Sequence, residues 1–283
     1  MAAFPKDSVW FVTGSSSGLG LEVAKLALAR GWRVVLAARK PEALADLAKQ
    51  YPERAMTVHL DVTHSASIAE AVEAAQTRFG HIDVLVNAAG DGYLAAIEEG
   101  EEDAIRAQFE TNVFGLLAVT RNVLPGMRTR RRGHIVNFSS LGGLVAFAAT
   151  GYYHATKFAV EALSESLSHE VKPLGIAVTI VEPGAFRTDW AGRSMIASST
   201  VIDDYAQTAG KRREATTTSS GRQAGDPVKG AAALIAAMES ETPPLRLLLG
   251  KSALDVALKR LDALRTNFET WRELSEGTDF PAA

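Results

Sequence analysis

The chain contains no cysteine among its 283 residues. Disulfides and thiolate metal sites are therefore excluded, and the composition fits a reducing cytoplasm. Long hydrophobic runs are also missing. The most apolar windows, 141–149 and 231–238, fall short of the roughly 18–20 residues that a membrane-spanning helix needs. The first six residues carry no basic patch followed by an apolar run, so neither a secretory leader nor a membrane partner is expected. Charge of one sign is lacking as well. Thirty Lys and Arg against 33 Asp and Glu leave a net charge of −3, which builds no field for nucleic acid or an anionic lipid surface. The six histidines show no metal-ligand spacing, and no metal is expected. The basic run Arg128 to Arg132 has no aromatic interleaving and is read as a solvated helix end. What is present is ordinary globular material: 47% apolar and 22% charged residues, enough for a soluble protein with a sizeable core.

Seven short apolar or β-branched runs stand at 8–13, 33–38, 55–60, 82–87, 134–138, 176–181 and 245–249. Between them lie alanine- and leucine-rich segments with helical spacing at 19–30, 41–50, 65–79, 101–128, 153–172 and 227–240. Such alternation predicts an α/β fold: a doubly wound parallel sheet of about seven strands with helices on both faces. No repeat or linker divides the chain, so a single domain over 1–283 is expected. The segment 190–225, rich in Ser, Thr, Gly and Ala, breaks the rhythm, and is expected to be a functional loop with a short helix near 203–209. The tail from about 259 to 283 carries Phe268, Trp271 and Phe280, and packs either on the core or on a partner chain.

After the first run comes Thr13-Gly14-Ser15-Ser16-Ser17-Gly18-Leu19-Gly20, leading straight into a helical segment. Serine and glycine are common loop residues, so the string alone decides little. A strand before it and a helix after it make it a dinucleotide-binding loop, with a pyrophosphate resting on free N–H groups at the helix start. Gly14, Ser16, Ser17, Gly18, Leu19 and Gly20 are its candidate residues. The second run ends Ala37-Ala38-Arg39-Lys40, with no carboxylate before Glu42. A carboxylate there would bind the ribose hydroxyls of NAD, whereas a guanidinium pairs bidentately with a 2′-phosphate. Arg39 therefore points to NADP, with NAD as the lesser alternative.

Ser139-Ser140 closes the fifth run, at the strand end where open α/β sheets place their ligands. Tyr153 follows thirteen residues after Ser140, and Lys157 four residues after that. On a helix these two share a face, and an ammonium there favours the phenolate. Bringing a phenol from near 10 to about 7 takes roughly 4 kcal/mol of differential stabilisation. Tyr152 lies five residues from Lys157 and is expected to point elsewhere. A Tyr-x-x-x-Lys pair alone is common on helices. It gains meaning from the serine and the glycine loop in the same chain.

Taken together, these motifs resemble the compact, single-domain branch of the short-chain dehydrogenase/reductase family, with a Rossmann-type fold. The likeness includes Asn87-Ala88-Ala89-Gly90, Asn112 and Pro183-Gly184, and runs from Thr13 to the last strand. The resemblance implies that Tyr153 is the general acid/base and that Lys157 lowers its pKa and holds the nicotinamide ribose. It further implies that Ser140 positions the substrate oxygen and Asn112 supports a water-linked proton relay. Asp61 and Val62 would meet the adenine, Asn87 to Gly90 the ribose, and Pro183, Gly184 and Thr188 the nicotinamide carboxamide. The bland alternative for Asp61 is a cap for the helix at 65.

The function expected is NADP(H)-dependent oxidoreduction between a ketone or aldehyde and a secondary alcohol. A homo-dimer or homo-tetramer through the segments 101–128 and 153–172 is expected from the same resemblance. Tyr93, Leu94, Leu141, Leu144, Phe147, Phe186, Trp190, Met195 and Ile196 are the candidate walls of a hydrophobic substrate site. The competing class is a dinucleotide-sensing regulator without chemistry. Such a protein has no need of the serine, tyrosine and lysine together.

Arg39 generates a direct test. Two charge-assisted hydrogen bonds to a 2′-phosphate predict NADPH binding about 10–100-fold tighter than NADH, with most of the difference lost in Arg39→Ala. Fluorescence titration of both dinucleotides measures this, and equal affinities in the native chain would overturn the assignment.

Overall fold

The computed structural model describes residues 4–188, 190, 192 and 194–280. Residues 1–3 at the start of the chain, positions 189, 191 and 193 of the expected loop, and 281–283 of the tail lie outside the described residues. Seven parallel strands form one sheet: β1 (Val9–Thr13), β2 (Arg33–Ala38), β3 (Ala55–His59), β4 (Val84–Asn87), β6 (Gly133–Phe138), β7 (Ile176–Pro183) and β9 (Arg246–Leu249). Their order is β3-β2-β1-β4-β6-β7-β9. The winding reverses between β1 and β4, so a crevice opens at the carboxyl ends of that pair, where Thr13 lies opposite Asn87. A second, two-stranded sheet pairs β5 (Gly92–Leu94) with β8 (Met195–Ala197).

Side-chain alternation along the strands builds the two cores. Trp10, Val12, Val34 and Leu36 face one side, and pack with α1 (Gly18–Ala29) and α8 (Pro227–Met238). Val9, Phe11, Val35 and Ala37 face the other, under α3 (Ser65–Phe79), α5 (Leu116–Arg130) and the end of α6 (Gly151–Val171). The strands read as continuous apolar runs because both faces are covered. The segment expected as one helix over 101–128 is instead α4 (Glu102–Phe109), a π-helical turn (Glu110–Gly115) and then α5. Gly115 lies against Val62, whose side chain would meet a Cβ there at 2.8 Å. The segment 41–50 likewise begins as a 3₁₀ turn, Pro41–Leu44, before α2 (Ala45–Lys49).

Two stretches exceed their sequence expectation. The loop holds a 3₁₀ turn (Asp203–Tyr205), a π turn (Ala206–Gly210) and α7 (Lys211–Thr218). The tail forms α9 (Lys251–Thr270) and α10 (Arg272–Glu276), so α6 and α9 are the longest helices among the described residues. Only Ala253 and Ala257 of α9 are buried, and Leu261, Phe268 and Trp271 lie in the open. As far as residue 280 the tail therefore does not pack on the core. No helix among the described residues is long and apolar enough to cross a membrane.

This division predicts unequal costs for two leucines. Leu234→Ala, at a fully buried position on α8, should lower stability by about 2–5 kcal/mol. Leu261→Ala, 61% exposed on α9, should stay within about 0.5 kcal/mol. Urea unfolding midpoints compare them, and equal losses would mean that the arm is covered.

Candidate active site

The groove begins at the glycine loop. Gly14 has φ +63°, and a Cβ there would lie 2.8 Å from the Ala88 carbonyl. Gly18 has φ +60°, and only glycine enters that region without strain. A Cβ on Gly20 would meet the Gly14 carbonyl at 2.7 Å. The loop is thus held as a bare backbone turn entering α1. Ser17 stands at the N-cap in extended conformation, its side chain making no capping bond. This cradle fits a dinucleotide pyrophosphate, which takes its hydrogen bonds from exposed N–H groups at a helix start. Ser16 is exposed beside it, whereas the Leu19 side chain turns toward Gly230.

The other walls converge on that cradle. The Thr13 hydroxyl accepts from the N–H groups of Ala88 and Ala89 at 3.0 and 3.1 Å, which ties the turn after β4 to β1. Thr188, in the turn after Pro183-Gly184, reaches to 3.6 Å of where a Gly18 side chain would start. Arg39 stands exposed at the end of β2. Asp61 accepts from the N–H and hydroxyl of Thr63 at 2.9 and 2.7 Å, and the N-cap of α3 is His64. Asp61 closes a turn before α3 and is not the helix cap. One expected contact reads differently in three dimensions. The Asn87 amide donates to Thr120 and Asn137 inside the protein at 3.0 and 2.9 Å, so its side chain is spent on the interior.

Ser140, Tyr153, Lys157 and Asn112 gather at the floor of the crevice. The Ser140 hydroxyl accepts the Gly142 N–H at 3.0 Å and lies on the Tyr153 side of the crevice, where it favours the phenolate. Lys157 donates to the Phe138 carbonyl at 2.8 Å, and its Nζ lies 5.7 Å from the centre of the Tyr153 ring. The same Nζ lies 3.7 Å from where a Gly90 side chain would start. The π turn carries Asn112 inward. Its amide donates to the Asp91 carbonyl and the Thr156 hydroxyl at 2.9 and 3.1 Å, and its carbonyl oxygen accepts the Asp91 N–H at 3.0 Å. Asn112 thereby clamps the strap 90–92 to α6. Tyr152 donates to the Ile97 carbonyl, away from this centre, as its spacing predicts.

The electrostatics correct a simple expectation. The ammonium does not bring the phenol toward neutrality among the chain's own groups. Burial pushes Tyr153 up to about 12; the Ser140 hydroxyl opposes this and the Asp91 carboxylate adds to it. Burial also pushes Lys157 down to about 8, against the pull of Asp91 and Glu161. Desolvation wins at both groups because each is nearly dry. Asp91 itself is raised by burial and drawn back by the charges of Arg39 and Lys157. The sequence reading passed over Asp91, although a carboxylate placed directly after Asn87-Ala88-Ala89-Gly90 was a signal.

The loop over the crevice is held by carboxylates that the sequence reading also passed over. Glu99 accepts from the N–H groups of Ala96 and Ile202, both at 2.9 Å, and pairs with Arg213 at 3.0 Å. Glu101 accepts from the Ser199 N–H and the Tyr93 hydroxyl at 3.0 and 3.1 Å. These bonds join 93–101 to 198–213, and earlier in the same loop the Trp190 ring centre lies 5.1 Å from that of Tyr153. Met195 and Trp190 crowd Gly92. Phe186, expected as a substrate wall, packs instead against Gly225, Gly230 and the α1 core. His154 accepts the Phe147 N–H at 3.1 Å and covers Gly142. Burial and the Arg212 charge lower it to about 4, so it acts as a neutral prop.

The comparisons agree with this architecture. The family model described as short chain dehydrogenase matches residues 8–196. Oxidoreductase BOA17 of Botryotinia fuckeliana is 42% identical over 268 residues, covering 94% of this chain and 97% of its own. The 3-ketodihydrosphingosine reductase of Bacteroides thetaiotaomicron is 39% identical over 202 residues, 71% of this chain and 72% of its own. The crystal structure of a short-chain dehydrogenase from Streptomyces avermitilis is 44% identical with a TM-score of 0.91, covering 97% of this chain and 100% of that one. A Burkholderia phymatum protein solved in complex with NAD shares the fold at 23% identity and a TM-score of 0.81, over 93% of this chain and 96% of its own. The groove, the crevice and these relatives lead to one conclusion: the chain belongs to the short-chain dehydrogenase/reductase family of oxidoreductases.

Proposed function

We propose that the chain is an NADP(H)-dependent carbonyl reductase or alcohol dehydrogenase acting on a hydrophobic ketone, aldehyde or secondary alcohol. The observation that carries this reading is the Lys157 ammonium 5.7 Å from the Tyr153 ring and fastened to the Phe138 carbonyl at the strand end, where Ser140 begins the next turn. The bare glycine turn and the N-terminus of α1 would hold the pyrophosphate, Arg39 the 2′-phosphate, and Asp61 with Val62 the adenine. Ala88 to Gly90 and Lys157 would hold the ribose beside the nicotinamide, and Thr188 with Pro183-Gly184 the carboxamide. A bound nicotinamide supplies or accepts hydride at the substrate carbon.

Tyr153 is the proton donor in the reductive direction. A phenol held near 12 stays protonated through neutral pH, which suits an acid. Ser140, its lone pair engaged by the Gly142 N–H, directs its hydrogen toward developing charge on the substrate oxygen. Lys157 stabilises the phenolate left behind once the proton has moved. Asn112 and Thr156 fix the strap above Lys157, and so the distance over which that charge acts. Trp190 beside Tyr153 keeps water from the phenol and supports an apolar substrate. The Bacteroides relative, named for reducing 3-ketodihydrosphingosine, is consistent with a ketone. Exposed Phe114, Phe158 and Leu163 on the π turn and α6 would be covered in a homo-oligomer, and a cytoplasmic location fits the absence of cysteine.

Tyr153→Phe should lower kcat by at least about 10²-fold while NADPH affinity stays near the native value. The assay follows nicotinamide absorbance with a panel of hydrophobic ketones and alcohols. Lys157 loses its charge through about pH 8, so the reduction rate should fall as pH rises through that value. Undiminished turnover in Tyr153→Phe would refute the role, and no turnover with any compound would favour the dinucleotide sensor.

A further inference from the structure

One helical turn beyond Lys157 on α6 stands Glu161, buried, and beside it Glu182 of β7, fully buried. A single guanidinium, Arg246 of β9, serves both. Its Nε lies 3.1 Å from Glu161 and 3.5 Å from Glu182, and its Nη2 lies 2.8 Å from Glu165. Both oxygens of Glu182 and Oε1 of Glu161 are buried with no hydrogen-bond donor among the described residues. The Ser139 hydroxyl is also buried without a partner. It lies close by, since a Cβ on Gly143 would meet Ser139 Oγ at 2.5 Å and Glu161 Oε1 at 3.1 Å.

Three carboxylates around one cation, two of them buried, cannot all carry charge. A buried carboxylate without enough donors takes up a proton, and two buried carboxyl groups that meet the same guanidinium nitrogen hold one between them. We propose that Glu161 and Glu182 share a single proton at neutral pH and act together as the positioning pair for Lys157, presenting it with one negative charge. The proposal rests on the reading of Lys157 and Tyr153 as the proton-transfer pair.

Other observations point the same way. Burial first, and the Glu161 charge second, push the Glu182 carboxyl far above the usual range, while Arg246 opposes them. The Glu161 charge raises Lys157 against the burial that lowers it. The groups facing the cluster are Lys157, Glu161 and Glu165 on α6, with His169 acting on Glu165, then Glu182 on β7 and Arg246 on β9. Asp91 faces Lys157 from the strap and is itself met by Arg39. Asp91 and the pair thus bracket the ammonium. As pH rises above neutral the pair releases its proton, and the added negative charge opposes the burial that discharges Lys157 near pH 8.

Two measurements on the full chain test this without substrate. Infrared spectroscopy should show a protonated carboxyl C=O band at pH 7 that fades as pH rises and is missing from Glu182→Gln. Its absence from the native spectrum, or its survival in Glu182→Gln, would overturn the shared proton. Carbon-13 NMR of the Lys157 ε-methylene, assigned with Lys157→Arg, should titrate about one pH unit lower in Glu161→Gln, with Glu161→Asp restoring the native midpoint. An unmoved midpoint in Glu161→Gln would overturn the positioning role. The alkaline limb of kcat/KM for reduction should move with the NMR midpoint. Shifted NMR midpoints with no turnover on any carbonyl would refute the proposed activity and leave the pair standing.

Discussion

A lysine buried at the base of the crevice governs the rest of the site. Its ammonium is fastened to the Phe138 carbonyl at the end of β6 and sits beneath Gly90. Removing a cation from water costs several kcal/mol unless other charges and acceptors replace the solvent. The fold supplies them from separate parts of the chain: Asp91 after β4, Glu161 on the same helix, and a β-strand carbonyl. Burial still wins, which is why Lys157 sits near 8 and not near 10. A cation so finely balanced responds to small changes in the carboxylates around it.

The π turn at Glu110–Gly115 is the mechanical counterpart of that balance. Such turns interrupt an α-helix where a side chain must be re-aimed. Here the interruption brings Asn112 to grip both backbone groups of Asp91 and the Thr156 hydroxyl, joining the strap to α6. Opposite it, Glu99 and Glu101 fasten the loop at 198–213 to the segment after β5. The crevice is therefore roofed from one side and clamped from the other, with Trp190 against Tyr153 between them.

Much of this was legible in the chain. The seven strands fell within a few residues of their expected places because covered parallel strands leave unbroken apolar runs. The glycine loop was legible because Gly14 and Gly20 leave no room for a side chain and Gly14 and Gly18 hold positive φ. The i, i+4 spacing selected Tyr153 over Tyr152, and Tyr152 does point to Ile97. Less legible were the breaks in helical runs. Helix-like residues continue through 110–115 and beyond 250, and nothing local distinguishes a π turn or an uncovered arm.

The sequence by itself determined the layered fold, the turn that would hold a pyrophosphate, and the serine, tyrosine and lysine of the crevice. Each depends on local spacing or on steric demands within a few residues. Tertiary structure alone decided the charges. Asp91 comes to Lys157 from the turn after β4, and the pairing of β7 with β9 brings Glu182 and Arg246 to Glu161 from tens of residues away. Desolvation depends on everything packed around a group, so it reversed the sign expected for the tyrosine from its neighbour four residues away.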